Sequence, residues 1–296
     1  VVVQAGAANS RVAIVDVDGL LLNAPFVGPM SVGENPVAHF KEKLDAAAAD
    51  GCVKAVVLRV NSPGGGVAAC QAMRAELGRF RAATGKPVVA CVLDQACGGA
   101  YLLATGADTI VAGPASVTGG VGVVLNLFNL RDLMAQFNVI PQTIKAGDKV
   151  DLGTSARALT GPEKEILQTM ADEFHAQLKA DVTAARPALD PREGTTLDGR
   201  IFTASQAHAR GLIDGIADLD GAIRLAACRA GVDGPPQVVL YRRPNDPAHS
   251  IYAVTANVPL QGAGLLPNIP GLDRSKLPTF LSLWQPELAV EKMGGK

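Results

Sequence analysis

A short apolar run, a glycine break and a helix-like stretch occur twice in succession in this chain of 296 residues, and that repeat restricts the fold more than any other feature. In the first unit Ala55-Val56-Val57-Leu58-Arg59-Val60 reads as a buried strand, Ser62-Pro63-Gly64-Gly65-Gly66 as a turn, and Val67 to Phe80 as a helix. In the second, Val88-Val89-Ala90-Cys91-Val92-Leu93 is the strand, Gly98-Gly99 the break and Ala100 to Gly106 the helical run, with Thr109-Ile110-Val111-Ala112 as the next strand. Strand, turn and helix units in tandem predict parallel crossovers and an α/β fold. Glycines at the breaks allow backbone angles closed to other residues and let amides point into a cleft at a positive helix N-terminus, an arrangement suited to an oxyanion hole.

Outside these units, Val12 to Leu22 alternates as a strand would, with Asp16 and Asp18 interrupting it. Thr160-Gly161-Pro162-Glu163 carries the marks of a helix start, with Thr160 as N-cap, Glu163 completing a capping box and Pro162 in the first turn. That helix is predicted to run to about Ala185, with Ile166, Met170, Phe174 and Leu178 forming an apolar stripe. A short capped helix is expected after Thr203, and a closing strand at Val238-Val239-Leu240-Tyr241. From Pro244 prolines recur too often for regular structure, yet Ile251-Tyr252-Ala253-Val254, Leu265-Leu266 and Phe280-Leu281-Ser282-Leu283-Trp284 are apolar. The division is therefore a domain over 1–243, its helical arm at about 160–186, and an extended segment over 244–296. That segment is expected to pack on its own or a neighbouring subunit with a short strand near Phe280 to Trp284, the alternative being a membrane or partner contact anchored by Trp284.

Composition narrows the function classes. The net charge is −1 and no basic cluster tracks phosphates, so no nucleic-acid partner is expected. The histidines His39, His175, His208 and His249 lack metal-ligand spacing, and no zinc signature or phosphate loop occurs, so no metal and no cofactor is expected. His175, near Glu173 and Lys179, reads as a surface residue, and Ser116 and Thr118 as turn residues. Asp94 and Gln95, at the end of a strand leading into the glycine break, read equally as binding groups or as a solvated turn pair. Cys52, Cys70, Cys91, Cys97 and Cys228 are odd in number and without paired spacing, which points to reduced, mostly buried thiols and favours a cytosolic setting. No segment reaches the ~18 uninterrupted apolar residues of a membrane span.

The ordered series of motifs resembles the signal peptide peptidase A family, the S49 serine peptidases with the ClpP/crotonase fold. The matching text is Leu58 to Gly66, Lys86-Pro87-Val88-Val89, Gly106 to Ala112, Thr118-Gly119-Gly120-Val121-Gly122-Val123, Ile144-Lys145-Ala146-Gly147, Asp151-Leu152-Gly153 and Asp198-Gly199-Arg200-Ile201-Phe202-Thr203, within about Val12 to Tyr241. The resemblance implies an α/β fold of repeated spiral units, a homo-oligomer shaped as a ring or dome with the helical arm interlocking protomers, and peptide or protein clients. Many relatives carry a membrane anchor ahead of the catalytic domain. Membrane association is expected only through such a segment before Val1, and the compartment stays open between membrane-associated, cytoplasmic and periplasmic or cell-envelope settings.

In that family a serine in an Ala-Ala-Ser-Gly-Gly-Tyr context attacks the peptide carbonyl and a lysine takes its proton. Gap-free alignment from Pro87 forward and from Gly122 backward puts Gly98 at the nucleophile position, and Val150 falls at the general-base position. Glycine offers no hydroxyl and valine accepts no proton, so the dyad is absent. A slip of one residue would substitute Cys97 and Lys149; the plainer reading of Cys97 is a small buried hydrophobe, and in extended chain Lys149 faces away from whatever Val150 faces. The amides of Gly64, Gly65 and Gly99 remain as an oxyanion or peptide-binding set.

The sequence thus points to an inactive S49-type protein that binds or scaffolds, holding extended peptides by strand addition. Two alternatives stand beside it: an active peptidase, through Cys97 or through groups supplied by a partner chain such as an active paralogue, and a crotonase-type acyl-CoA enzyme, which Gly98 to Ala104 faintly suggests.

Overall fold

The fold comes from a computed structural model, which describes residues 1–23, 26–28, 31–189, 194–242 and 280–284. Its backbone is one large sheet whose long strands are parallel. Strand β1 (Val2–Gln4) lies at one edge and β2 (Ala7–Leu21) near the middle; β3 (Phe26–Gly28) and β4 (Ser31–Glu34) pair antiparallel as a separate two-stranded sheet. Helix α1 (Pro36–Ala49) follows, its start fixed by Asn35, whose side chain accepts from the Val37 amide at 2.9 Å, and by proline in the first turn. The two tandem units then appear as β5 (Val53–Gly66), α2 (Val67–Thr84), β6 (Val88–Cys97), α3 (Gly99–Ala104) and β7 (Thr109–Ala112). The β2, β5, β6 and β7 strands pair parallel in that order.

The rest of the chain closes this core. Strand β8 (Val117–Gly119) pairs parallel with the end of β6, and after α4 (Arg131–Gln136) and α5 (Gly161–Ala185) β9 (Ile201–Thr203) pairs antiparallel with β8. Helix α6 (Ala204–Ala209) begins with the Thr203/Gln206 capping box; β10 (Gly215–Ile216) joins β7, α7 (Leu219–Arg229) crosses back, and β11 (Pro236–Leu240) pairs with β2. The last described element, β12 (Leu281–Leu283), pairs antiparallel with the end of β5.

Strand alternation divides the interior in two. Ala13, Val15, Val17, Val56, Leu58 and Val60 face the side covered by α1, α2 and α3, whereas Val12, Ile14, Ala55 and Val57 meet Leu219, Ala222, Ile223 and Ala226 of α7. The α/β fold of ClpP/crotonase type with repeated crossovers, expected from the sequence, is the one this chain adopts.

Three expectations need correction. Ser62 to Gly66 is not a turn but the end of β5, because its backbone is paired on both edges: Gly64 and Gly65 sit across from Leu20 and Leu21 on one side and from Leu283 and Ser282 on the other. The stripe on α5 is only partly internal: the buried face of the helix runs through Glu163, Leu167, Leu178 and Val182, and Ile166 and Met170, at the edge of that face, are 40% and 38% exposed. His175 is half-buried, with Nε2 at 3.0 Å from the Val121 carbonyl and 2.8 Å from that of Leu197, tying α5 to the loop after β8. In the 244–296 segment, Ile251-Tyr252-Ala253-Val254 and Leu265-Leu266 lie outside the described residues; Phe280 to Trp284 lie inside them, and the short strand expected there is present.

Candidate functional site

The site forms where β5 and β6 end and α2 and α3 begin. At the second of these junctions Gly98 has φ +53° and ψ −121°, a backbone state that glycine adopts without strain and that a residue with a Cβ adopts only under strain. Its amide donates to the Gly119 carbonyl at 2.8 Å, and its carbonyl accepts from Leu102 at 3.0 Å in the first turn of α3. A strand-to-helix turn this sharp thrusts out the side chain at its apex. Here the apex bears hydrogen only.

Backbone from the far end of the chain fills the space beyond it. A Cβ on Gly98 would meet the Ser282 carbonyl oxygen at 2.4 Å and the Leu283 nitrogen at 2.8 Å. One on Gly64, where φ is +112°, would meet the same oxygen at 2.1 Å. Both glycines are therefore required by close approach to β12. The strand is held on both sides: Trp284 donates to the Pro63 carbonyl at 2.8 Å, and Leu281 exchanges bonds of 3.1 and 2.9 Å with Val124. Phe280 meets Phe174 of α5 edge-on, with ring centroids 5.1 Å apart.

The three glycines expected to supply amides come together against β12, but differently. Gly65 lies directly opposite Ser282 in the strand register. Gly64 donates its amide to Ser62 Oγ at 3.1 Å, and that hydroxyl in turn donates to the Gly19 carbonyl at 2.6 Å. Gly99 packs on Cys70, whose Sγ would be 2.3 Å from a Cβ there.

Nearby side chains are occupied structurally. Cys97 is fully buried and burial pushes its thiol up to about 12; Cys70 is shifted likewise. Ser116 is bonded to the Val92 and Leu93 carbonyls, and Thr118 Oγ1 to that of Ala96 at 2.7 Å. The Tyr101 hydroxyl donates to the Leu212 carbonyl at 2.7 Å. Asp94 is exposed and accepts from the Asn61 side chain at 3.2 Å.

Val150 is 70% exposed and Lys149 is exposed as well. Their loop is fastened to α5 through Arg157, which bonds both Asp151 and Glu163, while Glu163 also accepts from the Thr160 amide at 3.0 Å in the expected capping box. Arg157 holds the carboxyls of Asp151 and Glu163 well below their ordinary range.

Sequence reasoning missed a buried ionic cluster beneath the site. Lys43 of α1 lies 2.9 Å from Asp16, and Arg59 of β5 lies 3.5 Å from Asp18 and 3.9 Å from Asp16. Burial raises Asp18 to about 6 despite the opposing pull of Arg59. The signal was present in Asp16 and Asp18, two acids in an otherwise apolar strand. Among the described residues no group of three or more His, Cys, Asp or Glu could hold a metal ion, and no helix is long and apolar enough to cross a membrane.

A parallel sheet with a glycine-floored slot at the strand ends defines a protein of the ClpP/crotonase class. The chain belongs to peptidase family S49, whose family model matches residues 81–233. It is 31% identical over 219 residues to Protease 4 of Salmonella typhi, covering 74% of this chain and 34% of that protein. It is 29% identical over 235 residues to the chloroplastic serine protease SPPA of Arabidopsis thaliana, covering 78% and 34%. The chain thus spans about a third of the length of these two relatives. Among solved structures it resembles a membrane-bound stomatin-specific protease, 1510-N, with a TM-score of 0.48 at 12% identity over 80% of this chain and 99% of that one. A second structure of that protease, described as a complex with a substrate peptide, gives 0.47 at 13% identity over 79% and 92%.

Proposed function

We propose that this chain is a proteolytically inactive member of family S49 that holds extended peptides in the slot between β5 and Val124, and that it works as a homo-oligomeric binding or scaffolding protein. The observation that carries this reading is the turn at Gly98, which has no side chain and faces peptide backbone instead. A serine–lysine dyad needs a hydroxyl and an amine kept neutral by burial; residue 98 offers no hydroxyl, and Val150 and Lys149 stand in solvent. The high thiol pKa of buried Cys97 speaks against a thiolate substitute.

Assembly is supported by the surface between β8 and α5. Phe128, Phe137, Val139, Ile140, Ile144 and Val150 are 48–101% exposed, so one stretch of chain turns six large apolar side chains to water, the kind of surface that a partner subunit covers. A ring or dome of like subunits, clients of peptide or protein nature and co-assembly with an active paralogue belong to the same proposal.

The test is incubation of the purified protein with an unstructured protein and with acyl-peptide esters between pH 7 and 10. No turnover above that of a Gly65→Ala control is expected; turnover above the control, abolished by Cys97→Ala, would establish an active peptidase instead.

A further inference from the structure

The slot's dimensions are recorded by the segment lying in it. Ser282 is fully buried, and its Oγ has no hydrogen-bond partner among the described residues. Leu281 is 5% exposed, Leu283 is half-buried, and Trp284 is 37% exposed. The central position is therefore closed around a small side chain and gives its hydroxyl nothing to bond. A larger residue has no room there, and an unpartnered buried hydroxyl is worse than none.

Recognition of the backbone is independent of sequence. The slot bonds the strand from both edges, through Pro63 on one side and Val124 on the other, as it would any extended peptide. Selectivity must then come from the side chains. Ser282 and the two leucines point to opposite faces of the strand, so the buried small residue and its bulky neighbours are read separately.

We infer that the slot selects extended segments with a small, preferably non-hydroxylated residue between two leucine-sized ones, and that Phe280–Trp284 is its built-in competitor. The inference rests on the peptide-holding reading above and adds to it the class of ligand and the expectation that the intact chain holds free peptide more weakly than a chain whose slot is open. A binding-competent state populated in only a small fraction of molecules lowers apparent affinity by that fraction.

The experiment uses the full chain and fluorescein-labelled pentapeptides of sequence Phe-Leu-X-Leu-Trp, with X as alanine, serine or leucine. Leu281→Pro removes the amide that donates to the Val124 carbonyl and should free the slot. If that variant does not fold, Trp284→Pro removes the donor to Pro63 from a more exposed position. Amide exchange at Gly65, opposite Ser282 in the strand register, reports whether the slot has opened. Faster exchange is expected in the variant, together with binding at least ~10-fold tighter than in the unaltered chain, as follows if fewer than about one molecule in ten is open. Affinity should fall in the order alanine, serine, leucine. Unchanged exchange, equal affinity in variant and parent, or a leucine-centred peptide bound as well as the alanine one would overturn the inference. A variant whose exchange shows an open slot but which binds none of the three peptides would instead sink the peptide-holding reading itself, and the inference with it.

Discussion

The carbonyl oxygen of Ser282 stands 2.4 Å from where the first side-chain atom of residue 98 would be, so the glycine at the turn and the strand in the slot exclude any alternative to one another. Gly98→Ser cannot leave both in place. The substitution forces a Cβ into φ +53° and against the strand, with an expected loss of about 1–3 kcal/mol in urea unfolding and faster amide exchange in Leu281 to Leu283. A variant as stable as the parent, with β12 equally protected, would contradict this coupling.

Asp18 sets a pH dependence. Its pKa is about 6 in the folded chain against an ordinary 3.8, with Asp16, Lys43 and Arg59 facing it. The fold prefers the protonated acid, so the stability this group contributes is full below about pH 3.8 and is lost as pH rises through 6. Asp18→Asn, neutral throughout, should gain on the parent over that interval, reaching a relative gain of about 3 kcal/mol. Urea titrations at pH 4 and 7.5 measure it; the same difference at both values would refute the assignment.

Thiol chemistry should avoid the site. With a pKa of about 12, Cys97 holds only roughly one part in 10⁴ as thiolate at pH 8, and it is closed to solvent besides. Iodoacetamide on the native protein is expected to modify the exposed Cys228 first and the half-buried Cys52 next. Mass spectrometry showing early alkylation of Cys97 would reverse the order.

The apolar surface predicts its own disruption. Phe137 and Ile140 are each 74% exposed in the single chain, so Phe137→Glu with Ile140→Asp should change the fold's own stability by no more than about 0.5 kcal/mol. Light scattering after size exclusion should nevertheless show assemblies falling to monomers. An unchanged mass would remove this surface from the interface.

Tyr101 anchors α3 to the segment after α6 by one buried bond to the Leu212 carbonyl. Tyr101→Phe leaves that acceptor without its donor, and a loss of about 1–3 kcal/mol in denaturant unfolding is expected. A neutral result would mean the carbonyl finds another partner.

What the sequence disclosed was local. The strand Thr109–Ala112 and the Thr160/Glu163 capping box could be read because each depends on residues a few positions apart. Helix α1 could have been found in the same way, since Asn35-Pro36 is an N-cap followed by a first-turn proline. Glycines at 64, 65 and 98 marked the slot but not its occupant. Pairing of Ser282 with Gly65 joins distant parts of the chain, and no local pattern encodes which strand completes a sheet. The cluster of Asp16, Lys43 and Arg59 was hidden for the same reason, because each charge is tolerable inside only through partners from other elements.

The bonds Leu281 and Trp284 make to Val124 and Pro63 have one more consequence. Withdraw the strand, and a gap one strand wide opens between two rows of unsatisfied donors and acceptors, the kind of bare sheet margin on which chains aggregate. By keeping that gap shut, the segment serves as a guard for solubility, and a truncation ahead of Phe280 would yield a stickier protein.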